Sequence, residues 1–367
     1  MKREGPPIWL CMLVLGLALV WRMLGAPLSA EQLRQSQTPL WQARILWPSR
    51  VQRVLRLWLP SQSAPAPATL VEESQSPEQR ALQADVSTIR VYLAEENRLE
   101  EMTLSGYVCG VVAAEMPASY HLEALKAQAV AARTRAVFQM QNGGCSLHSG
   151  ADICTDSAHC QGYASLQDCH VRWQDAYEAY RDRVLQAESE TSGLLLTYQG
   201  KPITVMYHAI SGGRTESAAA VFSQAEPYLV SVSSSGEEQA RGFQQETKLS
   251  FGEMADKLTA AGWTVTADDI RRTLTISAYT EAGRVADVQV GEQHISGPDF
   301  RRALSLRSTW FAIEMDEEGV TFSQRGYGHG VGMSQAGANG MAANGAAYQE
   351  ILAHYYPGTA LEKYSSE

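Results

Sequence analysis

Proline 117 fixes the first structural decision in this chain. Upstream of it, Leu104, Tyr107, Val108, Val111 and Val112 recur at i, i+3, i+4, i+7 and i+8, one stripe of an amphipathic helix. Pro117 disfavours helical backbone in the residue before it, so that helix must end by Met116. A second, Ala-rich helix runs from about Leu122 to Met140, where Asn142-Gly143-Gly144 stops it.

The rest of the body shows both hydrophobic periods without regular strand-helix alternation. Ile89, Val91 and Leu93 alternate as a strand does, from about Val86. LLLTYQG and KPITVMYHAI read as a hairpin, TLTISAY, RVADVQV and WFAIEM as strands, and LSFGEMADKLTAAG and GPDFRRALSL as helices. The glycine-dense stretch RGYGHGVGMSQAGANG reads as a loop, followed by a helix through Tyr348 and Ile351 that ends at Tyr356-Pro357-Gly358. The pattern predicts an α+β fold, mixed helices and antiparallel sheet in two lobes, over 83–362, with a smaller lobe over 248–308.

Ahead of that body lies a different composition. Lys2 and Arg3 precede an apolar run from Ile8 to Trp21, closed by Arg22. A bilayer core of about 30 Å asks for about 20 helical residues, which Pro6–Ala26 supplies if Arg22 snorkels. The reading is a transmembrane anchor over 1–24; a cleaved signal peptide competes, and both export the remainder. Residues 25–82 read as a stalk, because SQSAPAPATLVEESQSPEQ has too little apolar surface to fold alone. The first sixty residues hold eight Lys or Arg against two Asp or Glu, +6, so a chain of net −10 leaves −16 for the remainder. Basic residues beside an apolar run suit anionic lipid headgroups, and an acidic body argues against nucleic acid.

Four groupings can carry chemistry. Glu115 falls at the C-terminal end of the first helix, where the macrodipole disfavours negative charge and Ala113, Ala114, Met116 and Pro117 solvate it poorly. Its pKa should rise, as a general acid requires; a solvated helix-end glutamate is the plainer reading. His148, Cys154, His159 and Cys160, flanked by Cys145, Cys169 and His170, fit a closed tetrahedral zinc site. The same four clustered cysteines also fit two disulfides in an exported protein. Ser211-Gly212-Gly213, after the strand carrying Tyr207 and His208, either presents a hydroxyl and amides to a ligand or simply turns. The glycines around His329 allow close approach to a carbohydrate or to other backbone.

Beyond these residues, VVAAEMPASYHLEALKAQAVAARTRA resembles the signature of the stage II sporulation protein D family, seen also in the amidase-enhancer proteins. SGGRTESAAAVF with PYLVSVSS, and GYGHGVGMSQAGANGMA with ILAHYYPGT, resemble its later motifs in the same order, so the likeness spans about 85–362. The resemblance implies a peptidoglycan lytic transglycosylase acting on peptide-stripped glycan strands during forespore engulfment, with Glu115 of the A-E-M-P motif as catalytic residue. It implies a structural zinc on His148, Cys154, His159 and Cys160, and Arg133 matches a position associated with glycan binding; Lys126, Gln128, Tyr207, Ser211 and His329 are expected to help position the strand beside it. An aromatic residue is commoner in the family where this chain has Arg135. The implied partners are a cell-wall amidase/endopeptidase and a membrane protein of one complex, with the single-pass chain in the mother-cell engulfing membrane and its catalytic domain extracytoplasmic. A lytic enzyme needs only one carboxylate, because the sugar's own C6 hydroxyl replaces water as nucleophile. The amidase-enhancer relatives imply an alternative, a non-catalytic peptidoglycan binder that recruits and stimulates an amidase.

Overall fold

In the computed structural model of the protein, the described residues are 88–364, apart from 223. The run Ile8–Trp21 and the stalk over 25–82 lie outside them. Among the described residues no helix is long and apolar enough to cross a membrane.

The body opens with an antiparallel pair, β1 (Thr88–Leu93) and β2 (Arg98–Thr103), and Ile89, Val91 and Leu93 bury the core face of β1. Thr103 then caps α1 (Leu104–Glu115) by accepting from the Gly106 amide at 3.1 Å. Met116 turns extended (φ −126°, ψ 136°) ahead of Pro117, which ends the helix where the sequence requires. α2 (Leu122–Gln141) is buried on nearly every side from Ala124 to Val137, and its small side chains let several elements pack on it at once.

A two-residue strand, β3 (Ile153–Cys154), joins β1 in parallel. Helices α3 (Leu166–Trp173) and α4 (Tyr177–Ser189) follow; Ser165 and Asp168 form a reciprocal cap at the start of α3, a signal that the periodicity reading passed over. β4 (Leu194–Tyr198) and β5 (Lys201–Pro202) form the expected hairpin, with positive φ at Gln199 and Gly200. The second arm is shorter than the sequence suggested. Pro202 cannot donate to a ladder, and β6 (Tyr207–His208) pairs elsewhere.

After α5 (Ala218–Phe222) comes a second core. It is framed by β7 (Gln244–Ser250), α6 (Phe251–Ala260), α7 (Ala267–Thr273), β8 (Thr275–Tyr279), β9 (Val285–Val290), β10 (Gln293–Ser296), α8 (Gly297–Leu304), β11 (Trp310–Met315) and β12 (Gly319–Arg325). The helices and strands read at LSFGEMADKLTAAG, GPDFRRALSL, TLTISAY, RVADVQV and WFAIEM all form. α7 is additional, capped by Thr266 and Asp269. Two antiparallel sheets, β10-β9-β8 and β11-β12-β7, enclose Met254, Leu258, Val288, Phe300 and Phe322.

The chain then returns to the first core through β13 (Met333–Ser334), which pairs in parallel with β6. The glycine-dense stretch is a loop only in its first half. From Gln335 it becomes α9 (Gln335–Ala343), capped by Ser334. Glycine serves close packing there: a Cβ on Gly337 would sit 2.1 Å from the Tyr355 hydroxyl and 2.2 Å from Ser234 Oγ. α10 (Tyr348–Tyr355) and β14 (Ala360–Lys363) complete the body, β14 covering the free edge of β4. The result is a mixed α+β fold of several small, mainly antiparallel sheets.

Candidate functional site

Glu115 is half-buried at the last position of α1, and its Oε1 accepts a hydrogen bond from the Gly162 amide at 2.7 Å. The approach is close enough that a Cβ on residue 162 would lie 3.0 Å from that oxygen. Burial raises the Glu115 pKa; the Gly162 amide, a hydrogen bond from the Gln335 side chain and the charge of Arg135 oppose it without cancelling it. Among the described residues, no second carboxylate is among the groups acting on it.

Two amide relays lock this environment. Gln335, at the start of α9, donates to Gln128 Oε1 at 3.5 Å, and both side chains are buried. Gln161 accepts from the Tyr207 hydroxyl at 2.8 Å and donates to the Tyr107 hydroxyl at 3.1 Å, which fixes the backbone leading into Gly162. Burial, and then the nearby Glu115, raise the Tyr207 pKa well above its ordinary value, so its hydroxyl stays protonated.

One residue before Gln161 lies a sulfur-rich cluster. The ligand atoms of Cys145, Cys154, His159 and Cys160 all fall within 4.8 Å of one another, with His159 Nδ1 at 3.7, 3.4 and 3.2 Å from the three sulfurs. Tetrahedral zinc, at about 2.3 Å to sulfur and 2.0–2.1 Å to nitrogen, sets its ligand atoms about 3.6–3.8 Å apart. The donor set therefore fits a metal ion such as zinc. The other ring nitrogen of His159 is 3.0 Å from Ser146 Oγ, the kind of outer contact that orients a ligating imidazole. Burial pushes the Cys154 thiol up to about 12 and raises Cys160 as well, and a bound cation would supply the charge that turns them into thiolates.

This set differs from the expected ligand assignment at one position. His148 is not among the four; its ring stacks on Tyr92 with centroids 3.7 Å apart, and Cys145 takes the fourth place. Nor do the cysteines pair: Cys109, Cys145, Cys154, Cys160 and Cys169 are all free.

The remaining expected substrate residues divide. Arg133 is wholly buried; it pairs with Glu188 at 2.9 Å and donates to the Thr191 carbonyl at 2.8 Å, out of reach of a glycan. Lys126 is held between Glu123 and Glu190, each at 2.6 Å, with little of its side chain exposed. Ser211 is wholly buried, donating to the Glu237 carboxylate at 2.6 Å; the Gly213 amide and Ser334 Oγ converge on the same carboxylate at 2.6 and 2.5 Å. The Ser-Gly-Gly turn thus binds a ligand, but the ligand is the chain's own glutamate. His329 Nδ1 accepts from the Val331 amide at 3.0 Å, and burial lowers its pKa to about 4, so the ring is neutral. Gln128 and Tyr207 remain tied to the Glu115 surroundings.

Gly162, Gln335, Cys145 and Arg135 were missed as site residues. Cys145 was visible as a flanking cysteine, Gln335 stood in the glycine-dense motif, and Arg135 stood where an aromatic was expected. Arg135 donates to the Val205 carbonyl at 2.9 Å and to the His159 carbonyl at 3.2 Å, so it braces the cluster beside Glu115. A separate apolar cavity of about 360 Å³ runs along Cys109, Ala113, Tyr163 and Trp173; Glu115 does not line it.

Residues 74–198 match the family described as "Stage II sporulation protein". The chain is 34% identical to stage II sporulation protein D of Bacillus subtilis over 77% of its own length and 81% of that protein's. It is 34% identical to the Bacillus amyloliquefaciens protein of the same name, over 82% and 85%. A more distant relative is the amidase enhancer of Bacillus subtilis, 28% identical over 70% of this chain and 40% of that protein. With Glu115 and the sulfur cluster inside the matched region and similarity running across most of the body, the chain belongs to the stage II sporulation protein D family.

Proposed function

We propose that the chain is a peptidoglycan lytic transglycosylase that cleaves the bond between N-acetylmuramic acid and N-acetylglucosamine in peptide-stripped strands during forespore engulfment. The observation that carries this reading is Glu115: one carboxyl, its pKa raised by burial, held by an amide hydrogen bond and, among the described residues, acted on by no second carboxylate. Protonated, it donates to the bridging oxygen as the bond breaks. Ionised, it then accepts the C6 hydroxyl proton as that oxygen closes on the anomeric carbon, leaving a 1,6-anhydro end. Two-carboxylate hydrolysis instead needs a partner to act as nucleophile or activate water.

In this scheme Arg135 steadies the ionised form by its charge and the Gly162 amide aims the carboxyl. Cys145, Cys154, His159 and Cys160 would hold a structural zinc, which supplies a cross-link that fixes the segment leading to Gly162. The anchor, the extracytoplasmic placement in the mother-cell engulfing membrane, and an amidase/endopeptidase and a membrane protein as partners belong to the same proposal.

The test is digestion of purified peptide-free strands by the full-length protein and its Glu115→Gln variant, with mass analysis of the products. Anhydro ends from wild type and none from the variant are expected; plain reducing ends, or full activity in the variant, would sink the mechanism. The likeness to an amidase enhancer favours one other reading, a non-catalytic binder that stimulates an amidase. Such a protein releases nothing alone and accelerates the amidase.

A further inference from the structure

A second site lies on the outer face of the sheet β11-β12-β7. Strand register places Trp310 beside Arg325 beside Gln244, and in the next row on that face Ala312 beside Ser323 beside Glu246. The alternate residues Phe311 and Phe322 face the core. With the exposed ring of Tyr279, these side chains line an open groove of about 760 Å³.

The lining combines groups that suit a carbohydrate. Small residues at Ala312 and Ser323 leave a flat floor, and Trp310 and Tyr279 offer ring faces to the apolar faces of sugars. Trp310 is held in place by the Arg284 guanidinium, 5.5 Å from its ring centroid. Arg284 in turn donates to the Ser211 carbonyl at 2.5 Å and to Ser308 Oγ at 3.2 Å. Gln244 and Glu246, both exposed, can serve hydroxyl and acetamido groups. Arg325 is exposed too, and its guanidinium has no hydrogen bond or ion pair among the described residues. A planar cation on a sugar-sized floor calls for a carboxylate on the sugar.

The chain itself links the groove's edge to the candidate site. Residues 326–334 lead from Arg325 to Gln335, whose side chain bonds Glu115. The Ser-Gly-Gly turn packs on the same arginine, a Cβ at Gly212 falling 3.1 Å from Arg325 Cβ.

We propose that this groove is a second subsite for the glycan strand, binding sugars remote from the cleaved bond. Trp310 and Tyr279 stack on sugar rings, and Arg325 pairs with the lactyl carboxylate that N-acetylmuramic acid exposes once its stem peptide is gone. The inference rests on the glycan substrate proposed above and adds the group by which stripped strands are recognised.

The test uses the full-length protein with Trp310→Ala, Tyr279→Ser and Arg325→Gln, each also in a Glu115→Gln background for binding. The probes are long peptide-free strands, a tetrasaccharide of the same repeat, and chitin oligomers that lack the lactyl carboxylate. Each variant is expected to lower the preference for long strands over the tetrasaccharide about tenfold, the scale of one lost charge-assisted or stacking contact. Arg325→Gln should also erase the preference for muramic strands over chitin oligomers, which the aromatic variants keep. If the wild type binds long strands and the variants bind them equally well, the subsite is wrong while the glycan reading stands. If the wild type neither binds nor cleaves any strand, both fail. Should Trp310→Ala melt early, the two exposed positions, Tyr279 and Arg325, decide the matter.

Discussion

Glu115 shows what a single residue's surroundings do to its chemistry. Its folded pKa is raised, so the protonated form is favoured by folding; that contribution is full below about pH 4.5 and is lost as pH rises through the folded value. Glu115→Gln should therefore melt at or above the wild-type temperature at pH 7, with the gap closing toward pH 4, while strand cleavage falls at least about a hundredfold. Scanning calorimetry at several pH values checks the first part; an early-melting variant would contradict the burial account. Arg133 gives the opposite case, a charge expected at the glycan strand that lies wholly buried against Glu188. Arg133→Ala leaves Glu188 buried without its partner and should cost about 3–5 kcal/mol in denaturant unfolding, whereas Arg133→Met with Glu188→Leu should recover most of it. Sequence could not separate these two residues, because both are charged groups on adjacent apolar helices. Only the burial of each, and what its polar atoms meet, distinguishes them.

At the scale of elements, the segment from Cys145 to Ala164 is the least regular part of the first core and positions the most chemistry. Its ends are tied by the sulfur cluster, and its exit carries Gln161 and Gly162 to the end of α1. Metal removal by chelation should release close to one equivalent of zinc, lower the melting temperature by several degrees and reduce cleavage through loss of the Gly162 contact. Cys145→Ser should weaken metal retention more than His148→Ala, read by elemental analysis after dialysis; the reverse order would restore the spacing-based set. Spacing along the chain could show that thiols and imidazoles gather here. It could not show that His148 turns away to stack on Tyr92 while Cys145 reaches in. The capped starts of α3 and α7 were readable as S-x-x-D and T-x-x-D, and α9 was hidden because its glycines serve packing against Tyr355 and Ser234 rather than a turn.

At the scale of the whole molecule, His208 and His329 couple the glycine-dense loop to pH. Their ring centroids are 5.6 Å apart, and burial lowers both pKa values, that of His329 to about 4. Lowered histidines bind fewer protons folded than unfolded, so their contribution is present above about pH 6.5 and is lost as pH falls from there toward 4. The melting temperature should drop across that window, and His329→Asn should flatten the drop; an unchanged profile would place the acid sensitivity elsewhere. Glu115 titrates with the opposite sign, so a double variant separates the two.

The sequence by itself determined the period of each element, the stop at Pro117, the placement of Glu115 at a helix end and the kinship of the motifs, because these depend on neighbours along the chain. The tertiary structure decided which polar groups are reachable. Glu115, Gln128 with Arg135, Gly162, Tyr207 and Gln335 come from five separate segments, and each either meets the carboxyl's surroundings or is shut away by packing that no local pattern records. Desolvation is a property of what covers a group, so the raised acid, the buried arginine and the exchange of His148 for Cys145 emerge only once the two cores have closed.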